Sequence, residues 1–190
     1  MNEVNEVEKE FKSLISEEQY KKIIESVDFE KAVEQINFYY LDGGKILERN
    51  KINVRVRKIK DEFFLQIKNH MDNKENGLVI SKEYEEPIDF LPEAIEGEKI
   101  RKILKLEIGD AYLMGSLKTL RLVYNWSANS VICLDKNFYF GTIDYEIEVE
   151  IKSHNIEPEL RDFFLKNGVD FNKRSKGKRS RFFKAHKTMF

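Results

Sequence analysis

Nine residues near the C-terminal third, "DYEIEVEIK" (Asp144 to Lys152), alternate strictly between acidic and apolar side chains until the closing lysine. Period-2 alternation is the pattern of a strand with two unlike faces. One face carries Ile143, Tyr145, Ile147, Val149 and Ile151; the other carries Asp144, Glu146, Glu148 and Glu150. Like charges on neighbouring same-face positions repel, so such a wall needs a reason. Similar sorting recurs along the chain: Glu8, Glu10 and Lys12; Arg55 and Arg57; Gln66 and Lys68; Glu83 and Glu85; Thr119 and Arg121. A merely solvated sheet face usually mixes signs. Clustered carboxylates bind hard divalent cations such as Mg²⁺ and Mn²⁺. Arg and Lys clusters bind phosphate oxygens, Arg often through both arms of its fork. Acid beside base in a confined space predicts a metal–polyphosphate site.

The elements that must position these residues are short strands with helices between them. Strands are expected at Glu6–Lys12, Ala32–Asp42, Lys51–Ile59, Glu62–Asn69, Gly77–Ile88, Leu113–Trp126, Ser130–Phe140 and Thr142–Lys152. The third and fourth read as a hairpin through Lys60-Asp61. Helices are expected at Ser16–Val27, with Ser16 and Gln19 as a capping box, at Leu91–Leu106, and at Glu157–Gly168, with Pro158 in the first turn and Gly168 at the C-terminal cap. Eight sequential strands predict an α+β fold in which an antiparallel sheet closes into a barrel. Helices covering the apolar side from outside would turn the charged side inward. Ring closure would bring the first and eighth strands together and pool Glu8 and Glu10 with the eighth-strand glutamates.

The 190 residues suit a single domain, 1–190. With 33 basic and 34 acidic residues the net charge is −1, which argues against a general nucleic-acid binder. Cys133 is the single cysteine, so no intrachain disulfide forms, as suits a reducing compartment. No run approaches the roughly 20 apolar residues of a membrane span, and the acidic start has no apolar core of signal-peptide length. These features predict a cytoplasmic protein with no membrane partner; monomer and homodimer are both compatible with them.

The ordered series "EKEFK", "YYLD", "RVR", "LQIK", "EYE", "TLR", "CLD", "EIE" and "KRSKGK" resembles the CYTH superfamily, the triphosphate tunnel metalloenzymes, over about residues 4 to 183. The resemblance implies an eight-stranded tunnel and action on a triphosphate group with Mg²⁺ or Mn²⁺. It implies Glu8, Glu10 and Glu148 as ligands of a first metal, and Asp135 and Glu146 beside a second that activates water. Lys12, Arg55, Arg57, Lys68, Arg121 and Lys178 correspond to the phosphate cradle, and Tyr40 with Lys68 to a pair proposed for water activation; Lys12 joins them as a catalytic candidate. Glu83, Glu85 and Glu150 are further tunnel acids, Glu150 being as compatible with an outer position near the mouth as with a ligand. Thr119 and Ser81 stand where some members carry basic residues. The expected activity is hydrolysis of inorganic triphosphate. Thiamine triphosphatase, a class IV-type adenylyl cyclase and a non-catalytic polyphosphate or nucleotide sensor are the alternatives.

Other conspicuous residues read more plainly. His70, His154 and His186 lack metal-ligand spacing. Cys133, in the apolar run "VICL", reads as a small buried hydrophobe. Trp126 reads as packing at the core or rim. The basic tail from Asn172 reads as a solvated helix end or an RNA-binding segment, part of it reaching the tunnel mouth by the same resemblance.

Overall fold

The structure, a computed structural model, describes residues 4–71, 78–152, 156–170 and 176–189, with side chains from residue 7 onward. In chain order the elements are β1 (Val4–Ile15), α1 (Glu17–Ser26), β2 (Lys31–Asp42), α2 (Ile46–Arg49), β3 (Ile52–Ile59), β4 (Glu62–Met71), β5 (Val79–Ile88), β6 (Ala94–Ile95), α3 (Gly97–Leu104), β7 (Ala111–Asn125), β8 (Ser130–Tyr139), β9 (Thr142–Ile151), α4 (Pro158–Lys166) and α5 (Lys178–Met189). Strand pairing runs β2-β3-β4-β5-β1-β9-β8-β7-β6, and β2 also pairs with β7. That extra pairing closes eight of the strands into an antiparallel barrel with helices outside; β6 pairs only with the start of β7. Among the described residues, no helix is long and apolar enough to cross a membrane.

Two compact units make up the chain. One contains Met1–Val7, Gln35–His70 and Ser81–Leu117; the other contains Glu8–Glu34, Met71–Ile80 and Lys118–Phe190. Each has its own apolar core, and in each the core is the helix-covered face of the strands. In the second unit Phe11, Ile132, Leu134, Ile147 and Val149 pack against Ile23 of α1 and Leu160 and Phe164 of α4. In the first, Tyr40, Val54, Val56, Leu65 and Ile67 pack against Leu47 of α2 and Ile100 of α3. Burying each large apolar side chain contributes roughly 1.5–3 kcal/mol. A one-residue register slip would send Ile147 and Val149 to the opposite face and the glutamates into the core. The core therefore sets which face presents the charges.

Local signals explain the helices that frame this core. Gln19 N donates to Ser16 Oγ at 3.1 Å and Ser16 N donates to Gln19 Oε1 at 2.8 Å, the expected capping box. Gln19 Nε2 also donates to the Gly168 carbonyl at 2.7 Å, tying α1 to the end of α4. Gly168 takes φ +73, the left-handed closing residue of α4. The expected helix over Leu91–Leu106 is shorter: only Gly97–Leu104 is helical, after the strand pair Ala94–Ile95. Pro92 disfavours helix before it. At Gly97 a Cβ would come within 2.6 Å of the Gly109 carbonyl carbon, so backbone passes where a side chain would have to be. The short helix α2 was not expected. It is nucleated by Asp42, whose carboxylate accepts from Ile46 N at 2.8 Å and Leu47 N at 2.9 Å.

Candidate functional site

In the second unit, register turns the alternation into a lattice. Directly opposed residues share a face, so four rows form across β7, β8, β9 and β1. They read Thr119–Asn137–Asp144, then Arg121–Asp135–Glu146–Leu14, then Val123–Cys133–Glu148–Lys12, then Asn125–Val131–Glu150–Glu10. Two of these rows set carboxylates side by side, Asp135 with Glu146 and Glu150 with Glu10. Like charges directly opposed destabilise a sheet, and Asp135 and Glu146 have no exposed side-chain surface to shed the strain into water. The rows themselves supply Arg121 and Lys12, and further cations must come from elsewhere.

Helix α5 supplies two of them. Phe182 stacks on Phe140 of the β8–β9 turn, ring centroids 4.9 Å apart, and this fixes the helix. Lys178 Nζ then lies 2.8 Å from each of Asp135, Glu146 and Glu148. Arg181 donates to Asp144 Oδ2 and Glu146 Oε2 at 2.8 Å each. Arg121 forks onto Asp135 at 2.8 and 2.7 Å and also reaches Glu148, with Glu150 at 3.7 Å. Lys12 pairs with Glu10 at 2.6 Å. Among the described residues, ion pairs join Glu10, Asp135, Asp144, Glu146, Glu148 and Glu150 to Lys12, Arg121, Lys178 and Arg181.

Ionisation follows this crowding. Burial alone would lower the Lys178 pKa, but Asp135, Glu146 and Glu148 outweigh it and hold the ammonium well above its usual range. Burial would likewise raise Glu148, yet Lys178, Arg121 and Lys12 keep its carboxyl well below the usual carboxylate range. Arg121 is raised against its burial by Asp135 and Glu148, and Lys12 against its burial by Glu10, Glu148 and Glu146. Glu150 goes the other way. Burial pushes it up to about 7, Arg121 opposes, and Glu8, Glu148 and Glu10 add to the rise.

The first unit gathers a second, more basic cluster. Its rows are Tyr39–Arg55–Gln66 and Asn37–Arg57–Phe64, with Asn53 opposite Lys68. Arg55 Nε donates to Gln66 Oε1 at 2.7 Å, and Gln66 Nε2 donates to Glu85. Glu83 lies 3.7 Å from both Arg55 and Lys68. Arg57 Nε donates to Asn37 Oδ1 at 3.1 Å. Among the described residues, Arg55, Arg57 and Lys68 are the cations of this cluster and Glu83 and Glu85 its acids.

Within each unit the structure thus brings most of the expected residues together. Glu8, Glu10, Lys12, Arg121, Asp135, Glu146, Glu148, Glu150 and Lys178 belong to the second unit, and Arg55, Arg57, Lys68, Glu83 and Glu85 to the first. Tyr40 differs. It opposes Val54, is fully buried in the helix-side core, and its O–H donates to the Pro92 carbonyl at 2.6 Å. Burial pushes its pKa up to about 12. Tyr39, opposite Arg55, is the tyrosine on the charged face. Cys133 is buried as expected, but on the acid face beside Glu148 rather than among the aliphatics, because its parity matches Asp135. Trp126 packs against Phe163, centroids 5.5 Å apart. His186 packs on Phe140; His154 and the start of the basic tail lie outside the described residues.

Arg181 is the member that sequence reasoning missed, and Asp144, read there as part of the acid face, was given no role. Asp144 accepts from Tyr139 O–H at 2.5 Å and Asn137 Nδ2 at 2.9 Å as well as from Arg181, and Thr119 O–H donates to Asn137 at 2.7 Å. The available signal was "KRSRFF": Lys178 and Arg181 are three residues apart, hence on one helix face, beside a buried Phe pair.

Whether a divalent cation suits this cluster turns on its donors. No group of three or more His, Cys, Asp or Glu among the described residues is arranged to hold a metal ion. The Lys178 ammonium occupies the point on which Asp135, Glu146 and Glu148 converge. The donors themselves are hard carboxylate oxygens of the kind Mg²⁺ and Mn²⁺ take. Glu146 Oε1 is buried without a hydrogen-bond partner. The donor chemistry therefore suits a divalent cation, while the arrangement described holds an ammonium.

The CYTH domain family model matches residues 6–183, and the chain belongs to that family. Among solved structures it is similar to a candidate adenylate cyclase from Bacillus halodurans, at 22% identity and a TM-score of 0.75, with 94% of this chain and 98% of that chain covered. It is also similar to HpAC1 from Hippeastrum, a candidate adenylyl cyclase described as having a dominant triphosphatase activity, at 20% identity and 0.72, covering 93% and 95%. The triphosphatase of the Mimivirus capping enzyme is more distant, at 13% identity and 0.51, covering 87% and 89%. At these identities the likeness is one of fold. No curated protein sequence matches the chain.

Proposed function

We propose that this protein is a divalent-metal-dependent hydrolase of a triphosphate group, with inorganic triphosphate as its substrate. The observation that carries the reading is the convergence of three buried carboxylates on one point, now held by Lys178, with one of them keeping an oxygen that has no partner among the described residues. Bringing buried carboxylates together is costly unless a cation compensates them. The triphosphatase descriptions of HpAC1 and of the Mimivirus protein point the same way.

Mg²⁺ or Mn²⁺, held by Glu8, Glu10, Asp135, Glu146 and Glu148, would supply a Lewis acid for phosphate oxygens and a water of lowered pKa. The chain's own residues do the rest. In the second unit Lys12 and Lys178 add point charges that offset the charge of the transferring phosphoryl group; in the first, Arg55 and Arg57 present forks and Lys68 an ammonium, groups of the kind that take phosphate oxygens. Arg121, forked onto Asp135, orients that carboxylate rather than the substrate. Water attacks the terminal phosphorus in line and pyrophosphate leaves with the bridging oxygen. A reducing cytosol is the compartment this reading assumes, in keeping with the single free Cys133.

The test is a panel of inorganic triphosphate, thiamine triphosphate, ATP and RNA 5′-triphosphate with Mg²⁺ or Mn²⁺. Phosphate release fastest from inorganic triphosphate is the expected result. Cyclic AMP as the main product from ATP would assign a cyclase instead, and binding without turnover of any of them would assign a sensor.

A further inference from the structure

The two cations of α5 hold different acids. Among the described residues, every ion pair of the Lys178 ammonium, at 2.8 Å, is with a proposed metal donor: Asp135, Glu146 or Glu148. Arg181 divides its ion pairs between Glu146 and Asp144 and also donates to the Lys176 carbonyl. Asp144 is outside the donor set and is already held by Tyr139 and by Asn137, which is itself held by Thr119. An ammonium on a flexible stem is a point charge with no fixed fork, whereas a guanidinium anchored through its fork is directional. Resting on the metal-dependent reading above, we infer that α5 carries an exchangeable cation beside a fixed one. Lys178 is the resident counter-ion that an incoming divalent metal displaces, and Arg181, through Asp144, is a positioning residue that keeps Glu146 in place under either cation.

The geometry requires the exchange. A metal ion and an ammonium cannot share three buried carboxylates, because like charges a few ångströms apart in a low-dielectric site repel strongly. Arg121 does not yield, since its fork already spans both oxygens of Asp135. On Glu146, Oε2 accepts from both α5 cations while Oε1 has no partner, so a donor oxygen is available with Arg181 still bound. Displacement frees the Lys178 ammonium for a phosphate oxygen, which couples metal and triphosphate binding. By linkage each ligand then tightens the other by one common factor.

Mn²⁺ alone, titrated into the full chain without triphosphate and followed by the electron paramagnetic resonance of the free ion, tests this. Lys178→Met should bind Mn²⁺ about tenfold more tightly than the parent, within the usual range of coupling between sites. Lys178→Arg should bind more weakly than the parent, because a fork on the carboxylates is harder to displace. Arg181→Gln should bind about tenfold more weakly, with Arg181→Lys recovering part of the loss, as expected of a lost orienting partner. Lys178→Met binding no more tightly than the parent overturns the exchange, and unchanged binding by Arg181→Gln overturns the anchor. If Lys178→Met does not fold, as judged by circular dichroism, Lys178→Arg decides the exchange, and affinity equal to or above the parent's overturns it. A parent that takes up no Mn²⁺ at millimolar concentration overturns the metal-dependent reading itself.

Discussion

Arg121→Ala separates a structural guanidinium from a substrate-gripping one. Arg121 is only 14% exposed, Asp135 is 0% exposed, and the two are joined by parallel bonds of 2.8 and 2.7 Å. Glu148 accepts a further bond from the same nitrogen. Removing Arg121 leaves Asp135 and Glu148 to share Lys178 with Glu146, and breaking such a buried pair costs about 3–5 kcal/mol. Burial leaves little solvent screening to discount this figure. For a chain of this length 1 kcal/mol moves the melting temperature by about 2–4 °C, so the variant should melt roughly 6–20 °C below the parent. Differential scanning calorimetry in EDTA at pH 7 measures that loss. Adding Mn²⁺ should recover part of it, since a divalent cation compensates the carboxylates that Arg121 leaves bare. Arg121→Lys keeps the charge without the fork and should lose about half as much. If Arg121→Ala melts within about 2 °C of the parent in EDTA, the ion pairs contribute no net stability. Arg121 is then a cradle residue, as the sequence resemblance had it.

Arg57→Ala should lower kcat/KM roughly 30- to 1000-fold, equivalent to about 2–4 kcal/mol, on two triphosphates with unlike leaving groups, and Arg57→Lys should recover only part; parent-like activity on both refutes a phosphate contact. Tyr40→Phe loses the bond to the Pro92 carbonyl and should cost about 1 kcal/mol, or 2–4 °C, with kcat/KM within about twofold of the parent. Tyr39→Phe, on the charged face, should instead lower kcat with little change in melting. A hundredfold loss in Tyr40→Phe alone would restore Tyr40 to water activation. Glu10→Gln keeps an oxygen for Lys12 to donate to, so melting in EDTA should stay within a few degrees of the parent. It should, however, lose most of the Mn²⁺-induced rise; an undiminished rise excludes Glu10 as a donor.

What was legible from the chain alone is what depends on near neighbours. Alternation is a local property, so the sign-sorted faces of β1, β3, β5 and β9 were readable, and with them a charged face opposite an apolar one. Parity is harder where both residues of a pair suit either face. Tyr39 and Tyr40 are adjacent and aromatic, and only the register with Arg55 and Val54 assigns one to the charges and the other to the core. The same holds for Cys133, whose apolar neighbours concealed its parity with Asp135. The pairing of charges is harder still, because a sequence shows sign but not partner. Arg181 lies 37 residues from Asp144, in a stretch whose composition reads as a solvated basic tail. A physical rule would have narrowed the search. Opposed carboxylates on neighbouring strands, as in Asp135–Glu146, demand buried cations from another element. A buried cation in turn needs apolar neighbours to hold its backbone against the sheet. In the C-terminal basic run, the Lys178 and Arg181 positions stand directly before such an anchor, Phe182 and Phe183. The repulsion written into "DYEIEVE" therefore calls for the helix at the far end of the chain, and the acid wall and the basic tail are two halves of one electrostatic requirement.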